Sequence, residues 1–371
     1  MDYLYISIVV ILHICLLLQL YYVLVVYRKL AVFKAPDLNS QTNLPLSVII
    51  CAKNEVQNLK KNLASILGQN YPDFEVIVVN DCSNDGTEWF LRDLSLEHKN
   101  LKTVTINDHP RFKHGKKFAL TLGIKAAKNE NLILTDADCY PSSENWLSLM
   151  QRNFSDQTDI VLGYSPYEIK GGLLNKFIRF ETFFTALSYL SYALRGIPYM
   201  GVGRNMAYKK SLFFKGKGFA SHMHILSGDD DLFVNQNANS QNTKIEIHPE
   251  SLIWSEPKKS LSAYFSQKIR HQGAGKAYKN QHKRMLSFQV LSGLLFYTAL
   301  IALILVKGPW WIIASVFFIR LICQIFVYIP VLKKLKYIDL IWFLPVFDFI
   351  YYIYIMLLSL ISIFRKKVEW K

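Results

Sequence analysis

Cysteine is scarce. The 371-residue chain carries five, Cys15, Cys51, Cys82, Cys139 and Cys323, and no two form a C-x-x-C pair. So scattered and odd a set suggests neither a disulfide framework nor a zinc site, and it fits a reducing compartment. Acidic residues are also short: 28 Asp and Glu face 43 Lys and Arg, for a net charge of +15. Charged residues make up only 19% of the chain against 51% hydrophobic, which excludes a disordered protein, because such a chain lacks apolar surface to bury. The N-terminus has no basic start, short apolar core and small-residue cleavage site in sequence, so its apolar run is expected to be a retained anchor and not a signal peptide.

Apolar runs sit at both ends of the chain and an ordinary mixed sequence fills the middle. A bilayer core needs about 20 mainly apolar helical residues. Residues 3–27 qualify, with His13 and Gln19 inside; so do 286–306, 311–331 with Arg320, and 338–364 with Pro345 and Asp348. The expected organisation is an anchor over 1–30, a cytoplasmic domain over 44–280 and a C-terminal membrane region of two to three helices over 285–371. The basic residues lie beside these runs, at Arg28, Lys29 and Lys34, at Lys333, Lys334 and Lys336, and at Arg365, Lys366 and Lys367. Juxtamembrane cations face anionic lipid, so the charge points to a membrane surface and not to nucleic acid. The positive-inside rule puts the middle domain in the cytoplasm. Counting onward, a fourth full crossing would leave Arg365 to Lys367 outside, against the rule; a re-entrant or interfacial last segment would not. Arg320 is expected to face protein or to snorkel.

The middle of the chain alternates buried strands with helices. Strands are expected over 46–52, 74–79, 101–106 and 132–135, and helices over 56–67, from about 85, and over 116–127. That alternation implies an α/β doubly wound parallel sheet, which binds ligands at the carboxyl ends of its strands. Glu55, Asp81, Asp136 and Asp138 all fall at those ends. Asp85 reads as a helix cap. Asp136 and Asp138 flank one small residue, and i and i+2 side chains of an extended or turning segment share a face. Two carboxylates there make a hard-oxygen site for Mg²⁺ or Mn²⁺, with substrate phosphates as further ligands.

These residues resemble those of a membrane-bound family 2 glycosyltransferase of GT-A fold. SVIICAKNE, holding Ala52, Asn54 and Glu55, resembles the first strand and nucleotide loop; VNDCSNDGT resembles the motif whose first Asp, here Asp81, contacts uracil. GKKFALTLGI, with Lys116, resembles the G-K-x-x-A-L-N-x-G-I stretch, with Thr121 where Asn is usual, and TDADCYP resembles the D-x-D motif. GVGRNMAYKKSLF resembles an acceptor-side segment. The resemblance covers residues 46 to about 276 and implies a nucleotide-sugar site, with Asp81 and Glu55 holding base and ribose, Lys116 and Asp136 placing the nucleotide, and Asp138 binding the metal.

Ser227-Gly228-Asp229-Asp230-Asp231 alone reads as an acidic helix start. In the family it resembles the motif supplying the general base; Asp230 is first choice, and Asp229 and Asp231 stay open because three acids in a row blur the register. Gln267-Lys268-Ile269-Arg270-His271 resembles Q-x-x-R-W, with His271 for Trp. Gln267, Arg270 and His271 share a helical face by spacing, and Arg suits a diphosphate; a basic helix touching lipid is the plainer alternative. Residues 173–194 read as an amphipathic helix at the interface, or as core. His222-Met223-His224 reads as a loop segment, not a metal pair. The function implied is inverting, metal-dependent transfer from a UDP-sugar to a lipid or glycan acceptor at the cytoplasmic face of a bacterial inner membrane. The alternatives are a processive polysaccharide synthase and a non-catalytic nucleotide-sugar-binding scaffold. The loss of the usual Trp at His271 and the small number of membrane helices favour the first reading over the synthase.

Overall fold

The computed structural model describes residues 2–35, 43–107 and 115–364. The first apolar run is helical throughout: α1 (Asp2–Tyr21) passes through a π-helical stretch, Tyr22–Tyr27, into α2 (Arg28–Val32). Strand and helix then alternate as the sequence implies, through β1 (Leu46–Ala52), α3 (Val56–Leu67), β2 (Phe74–Asp81), α4 (Thr87–Glu97), β3 (Leu101–Ile106), α5 (Lys116–Ala126) and β4 (Asn131–Asp136). Next come β5 (Cys139–Pro141), α6 (Trp146–Gln151), β6 (Ile160–Leu162), α7 (Leu173–Leu194), β7 (Met206–Lys209), α8 (Lys210–Lys215) and α9 (Asp231–Asn237). Then β8 (Thr243–Ile245), β9 (Ile253–Ser255) and α10 (Leu261–Gly275) close the catalytic unit. The membrane region follows as α11 (Asn280–Leu305), α12 (Trp310–Lys334), a 3₁₀ stretch Ile338–Phe343, and α13 (Leu344–Phe364).

The main sheet has seven strands in the order β3-β2-β1-β4-β7-β6-β8. β3, β2, β1 and β4 are mutually parallel. The expectation of a parallel doubly wound sheet therefore holds for six of the seven strands, because β6 and β8 are parallel to each other and run in the same sense as β4, and β7 alone among the seven corrects it. β7 runs antiparallel to both β4 and β6. The reversal has a use: with Met206 opposite Leu134, the start of β7 lies at the carboxyl end of β4, so the loop 201–205 arrives at the ligand-binding edge. Two layers of helices cover the sheet. Val48 and Ile50 of β1 pack with α3 and α6, while Ile49 between them packs with α5 and α7, the period-2 alternation of a strand buried on both faces. Gly123 lets α5 approach closely; a Cβ there would stand 2.7 Å from Ile49 Cγ2 and 2.9 Å from Val79 Cγ2.

α7 is not an open interfacial helix, and this corrects the first of its two expected readings. It is buried from both sides because its aromatic rows face in opposite directions. Tyr189 Oη donates to the Gly163 carbonyl at 2.6 Å on the sheet side. Phe184 meets Tyr27 of the π-helical stretch at 6.0 Å and Phe183 meets Tyr328 of α12 at 5.6 Å on the other. α7 is thus the joint between the catalytic unit and the membrane helices.

Among the described residues, four helical stretches are long and apolar enough to cross a membrane, 3–32, 280–305, 310–334 and 338–361. Arg320 faces protein. It donates to Asp348 Oδ2 of α13 at 2.7 Å and to Gln19 Oε1 of α1 at 3.0 Å, while Tyr297 of α11 also donates to Asp348. One buried ion pair therefore ties four helices together, as a charge inside a membrane region requires. Segment 337–359 touches the catalytic unit at both ends. Tyr337 Oη donates to the Tyr167 carbonyl at 2.7 Å and Arg179 pairs with Asp339 at 2.7 Å; further on, Tyr354 packs on Tyr264 and Phe265 of α10 at 6.0 and 5.9 Å. Arg365, Lys366 and Lys367 lie outside the described residues.

Candidate active site

A cavity of about 960 Å³ opens at the carboxyl ends of β1, β2 and β4. Of the residues expected from sequence, Ala52, Glu55, Asp81, Lys116, Asp136 and Asp138 line it, as do Asp229, Asp230 and Asp231 and, from α10, Gln267, Arg270 and His271. Asn54 is the exception. Its backbone is left-handed, with φ of 57°, and its side chain serves the loop: Asn84 N–H donates to Asn54 Oδ1 at 2.9 Å, and Asn54 N–H donates to Ser83 Oγ at 2.9 Å. Asp85 does act as a cap, and for two helices at once, accepting from Val56 N–H and Thr87 N–H at 3.1 Å each.

Asp81 is the last residue of β2 because the apolar strand drives it inward. It is only 2% exposed, and neither carboxylate oxygen has a hydrogen-bond partner among the described residues. A buried carboxylate left so is costly, and a nucleobase or ribose donor entering the cavity would satisfy it. Glu55, beside it on the loop after β1, accepts from Asn58 at 2.5 Å; burial raises its pKa, and Asp138 and Asp136 add to the rise.

Lys116 heads α5 and bridges two acids, Asp136 Oδ1 and Asp229 Oδ2, at 2.9 Å each. Burial by itself would discharge this lysine, but Asp136 and Asp229 hold its pKa well above the ordinary value. Its neighbour Lys117 turns the other way and donates to the His222 and Ile225 carbonyls at 2.6 and 2.9 Å. Two adjacent lysines thus fasten the acidic loop onto the start of α5. His222 is buried there while His224 is exposed, so the two do not face one ligand.

The three consecutive aspartates have three environments. Asp229 is buried but kept below the usual carboxylate range, since Lys116 outweighs burial. Asp231 accepts from Tyr278 Oη at 2.8 Å; burial and the Asp230 charge push its pKa to about 8. Asp230 caps α9, accepting from Asp231 N–H at 2.7 Å and from Gly203 N–H at 2.8 Å. Burial and the Asp229 charge push it up to about 6. Of the three, only Asp230 is both ionised near neutral pH and free of a side-chain partner. Among the described residues no three His, Cys, Asp or Glu side chains form a metal cage. The donor set at Asp136 and Asp138 nevertheless fits Mg²⁺ or Mn²⁺, whose shell is commonly shared between one or two carboxylates and substrate phosphates.

Residues 47–216 match the model of Glycosyl transferase family 2. Over these residues the chain is similar to a family 2 glycosyltransferase domain. Glycosyltransferase AglE of Haloferax volcanii is 36% identical over 104 residues, 28% of this chain and 33% of that protein. A poly-beta-1,6-N-acetyl-D-glucosamine synthase of Staphylococcus epidermidis is 33% identical over 93 residues, 25% of this chain and 21% of that protein. The alignments thus span a third or less of these relatives' length. Among solved structures, the mannosyltransferase PcManGT of Pyrobaculum calidifontis, in complex with GDP-Man and Mn²⁺, covers 97% of this chain and 100% of its own with a TM-score of 0.60 and 17% identity. That likeness shows the GT-A fold alone.

Several residues of the site carry no prior expectation. Arg204, Lys268 and Tyr278 line the cavity, and Gly203 N–H donates to Asp230 beside it. Lys268 pairs with Glu181 of α7 across it. Arg204 and Gly203 stand inside the GVGRN segment, so the segment was legible while their roles were not. The cavity also continues past α10 to Leu286 and Val290 of α11 and to Tyr351, Ile355 and Leu358 of α13.

Proposed function

We propose that the protein transfers a sugar, with inversion, from a nucleotide sugar carried on UDP to a hydroxyl of a lipid or lipid-linked acceptor at the cytoplasmic face of a bacterial inner membrane. One observation carries the reading: a single cavity holds the Asp81, Asp136, Asp138 and Asp230 carboxylates at one end and apolar side chains of α11 and α13 at the other. A water-soluble donor and a lipid acceptor need such a shared chamber.

Asp81 and Glu55 bind base and ribose. Lys116, fixed between Asp136 and Asp229, orients the diphosphate by charge. Asp136 and Asp138 would hold Mg²⁺ or Mn²⁺, which would supply positive charge to the leaving diphosphate. Arg270 and Gln267 close the cavity over it. Asp230 takes the proton from the acceptor hydroxyl as that oxygen bonds the anomeric carbon and the bond to the diphosphate breaks. Products are the glycosylated acceptor and the nucleoside diphosphate, with one inversion. Asp229 and Asp231 are positioning groups. Because Tyr337 and Tyr354 both meet the catalytic unit, segment 338–364 enters and leaves the bilayer on the catalytic side, a re-entrant last segment that leaves the chain's end in the cytoplasm.

The test is UDP release by the detergent-solubilised protein across UDP-sugars and GDP-mannose, with Mg²⁺ or Mn²⁺ or EDTA, with and without membrane lipid extract. Metal-dependent release from one donor, raised by lipid, supports the reading. Release from no donor moves it to the scaffold alternative. The resemblance to a polysaccharide synthase keeps a processive reading; a product of many sugars per acceptor would select it.

A further inference from the structure

Arg204 is a cation at the reaction centre to which the steps above give no task. It lines the cavity, yet its Nη1 is buried and has no hydrogen-bond partner among the described residues. The rest of the guanidinium is fixed. It lies over the Tyr167 ring, 4.3 Å from its centroid, and Nη2 donates to the Ser165 carbonyl at 3.2 Å. The preceding residue, Gly203, donates its N–H to Asp230 Oδ2 at 2.8 Å, which anchors this loop against the candidate base. Arg204 lines the same cavity as the candidate base and the Asp136/Asp138 pair, and that pair acts on the guanidinium electrostatically. In a one-step displacement the transferred sugar lies in this cavity between base and diphosphate.

We propose that Arg204 holds the transferred sugar through one of the oxygen substituents of its ring. Arg only donates hydrogen bonds, so its partner is an acceptor oxygen: a ring hydroxyl, an N-acetyl carbonyl or a uronic carboxylate. The assignment makes Arg204 a determinant of donor specificity, separate from Arg270, which serves the diphosphate. It rests on the glycosyl-transfer reading. A guanidinium stacked on tyrosine and tethered to a carbonyl loses little freedom on binding. Its unpaired N–H is satisfied when the donor arrives.

The experiment compares full-length protein with Arg204→Gln and Arg204→Lys. Equilibrium binding is measured for UDP and GDP alone, and for UDP-glucose, UDP-N-acetylglucosamine, UDP-glucuronate and GDP-mannose. For the donor that wild type prefers, Arg204→Gln is expected to lower affinity about tenfold to hundredfold, the size of a lost charge-assisted bond. Affinity for the bare nucleoside diphosphate should change by less than about twofold. Arg204→Lys keeps charge and stem but not the fork, and should recover part of the loss. Equal losses for nucleoside diphosphate and nucleotide sugar would overturn the proposal, making Arg204 a diphosphate or loop residue. Unchanged affinity for both would also overturn it. If the Gln variant fails to fold, the Lys variant carries the same comparison. Wild-type protein that binds UDP or GDP but no nucleotide sugar would instead defeat the transfer reading itself.

Discussion

Lys116 stands 2.9 Å from Asp229, and the same ammonium is 2.9 Å from Asp136. The contact joins two halves of the chain that lie on opposite sides of the sheet's switch: the strand that ends in the D-x-D pair and the loop that carries the three aspartates. The end of β4 and the loop of three aspartates are therefore held by one charge.

Removing that charge should disable both together. In Lys116→Met, Asp136 and Asp229 face each other without a counter-ion in a partly buried site. Turnover is expected to fall at least about a hundredfold, the scale of losing one preorganised electrostatic group. Nucleoside diphosphate affinity should fall with it. Steady-state release of nucleoside diphosphate and a binding titration check the two effects. A variant that loses neither would show that the bridge is only structural.

Asp230 sets the expected pH dependence. Its carboxyl is pushed up to about 6 by burial and by Asp229. A general base works only when deprotonated, so kcat should fall about tenfold per pH unit below that value and level off above it. Asp230→Asn should nearly abolish transfer while binding of nucleoside diphosphate persists. Asp229→Asn removes a repelling charge and leaves Lys116 one competitor fewer, and both effects stabilise ionised Asp230. The acid limb of that variant should therefore move to lower pH. A shift to higher pH, or an unmoved limb, would remove Asp230 from the base role.

The strands of the first half were legible because parallel strands buried on both faces read as short apolar runs, and the acids follow directly after them. Asp81 and the Asp136/Asp138 pair needed only that pattern. What the sequence hid depends on contacts between distant segments. Nothing around Met206 announces that β7 reverses, and nothing local to Leu173–Leu194 says that α7 meets the sheet on one side and Tyr27 and Tyr328 on the other. Asn54 misled for a different reason: the motif marks a nucleotide loop, but this side chain is consumed in shaping it. The three aspartates could be separated only by their neighbours, Lys116, Gly203 and Tyr278, which are remote in sequence.

The Arg320–Asp348 pair sets the stability of the membrane helices. Arg320→Met leaves Asp348 buried without its cation, and breaking such a pair costs about 3–5 kcal/mol. The double variant Arg320→Met with Asp348→Leu removes both charges and should regain most of the loss, because hydrophobic replacement of a buried pair is often neutral. Thermal unfolding in detergent, followed for wild type, the single variant and the double variant, gives the comparison. A double variant as unstable as the single one would mean that Gln19, Tyr297 and Gln324, which accepts from Arg320 at 3.2 Å and donates to Asp348 at 3.0 Å, carry the greater share once left without these partners.

The course of the last segment has a direct readout. Tyr337 bonds the Tyr167 backbone on the catalytic unit, and seventeen residues later Tyr354 stacks on Tyr264 of α10, while Asp348 between them reaches Arg320 in α12. A helix that crossed the bilayer once could not return to the same unit within that length. A reporter fused after Lys371 is therefore expected on the same side as one inserted in the catalytic unit and opposite one inserted at Gly308, in the turn between α11 and α12. A fluorescent protein that fails to mature outside the cytoplasm, paired with a phosphatase active only outside it, distinguishes the sides. Phosphatase activity at the C-terminal fusion would mean a full fourth crossing. The wall that Tyr354, Ile355 and Leu358 give the cavity would then have to be formed by another segment, and the acceptor path proposed between α11 and α13 would fall with it.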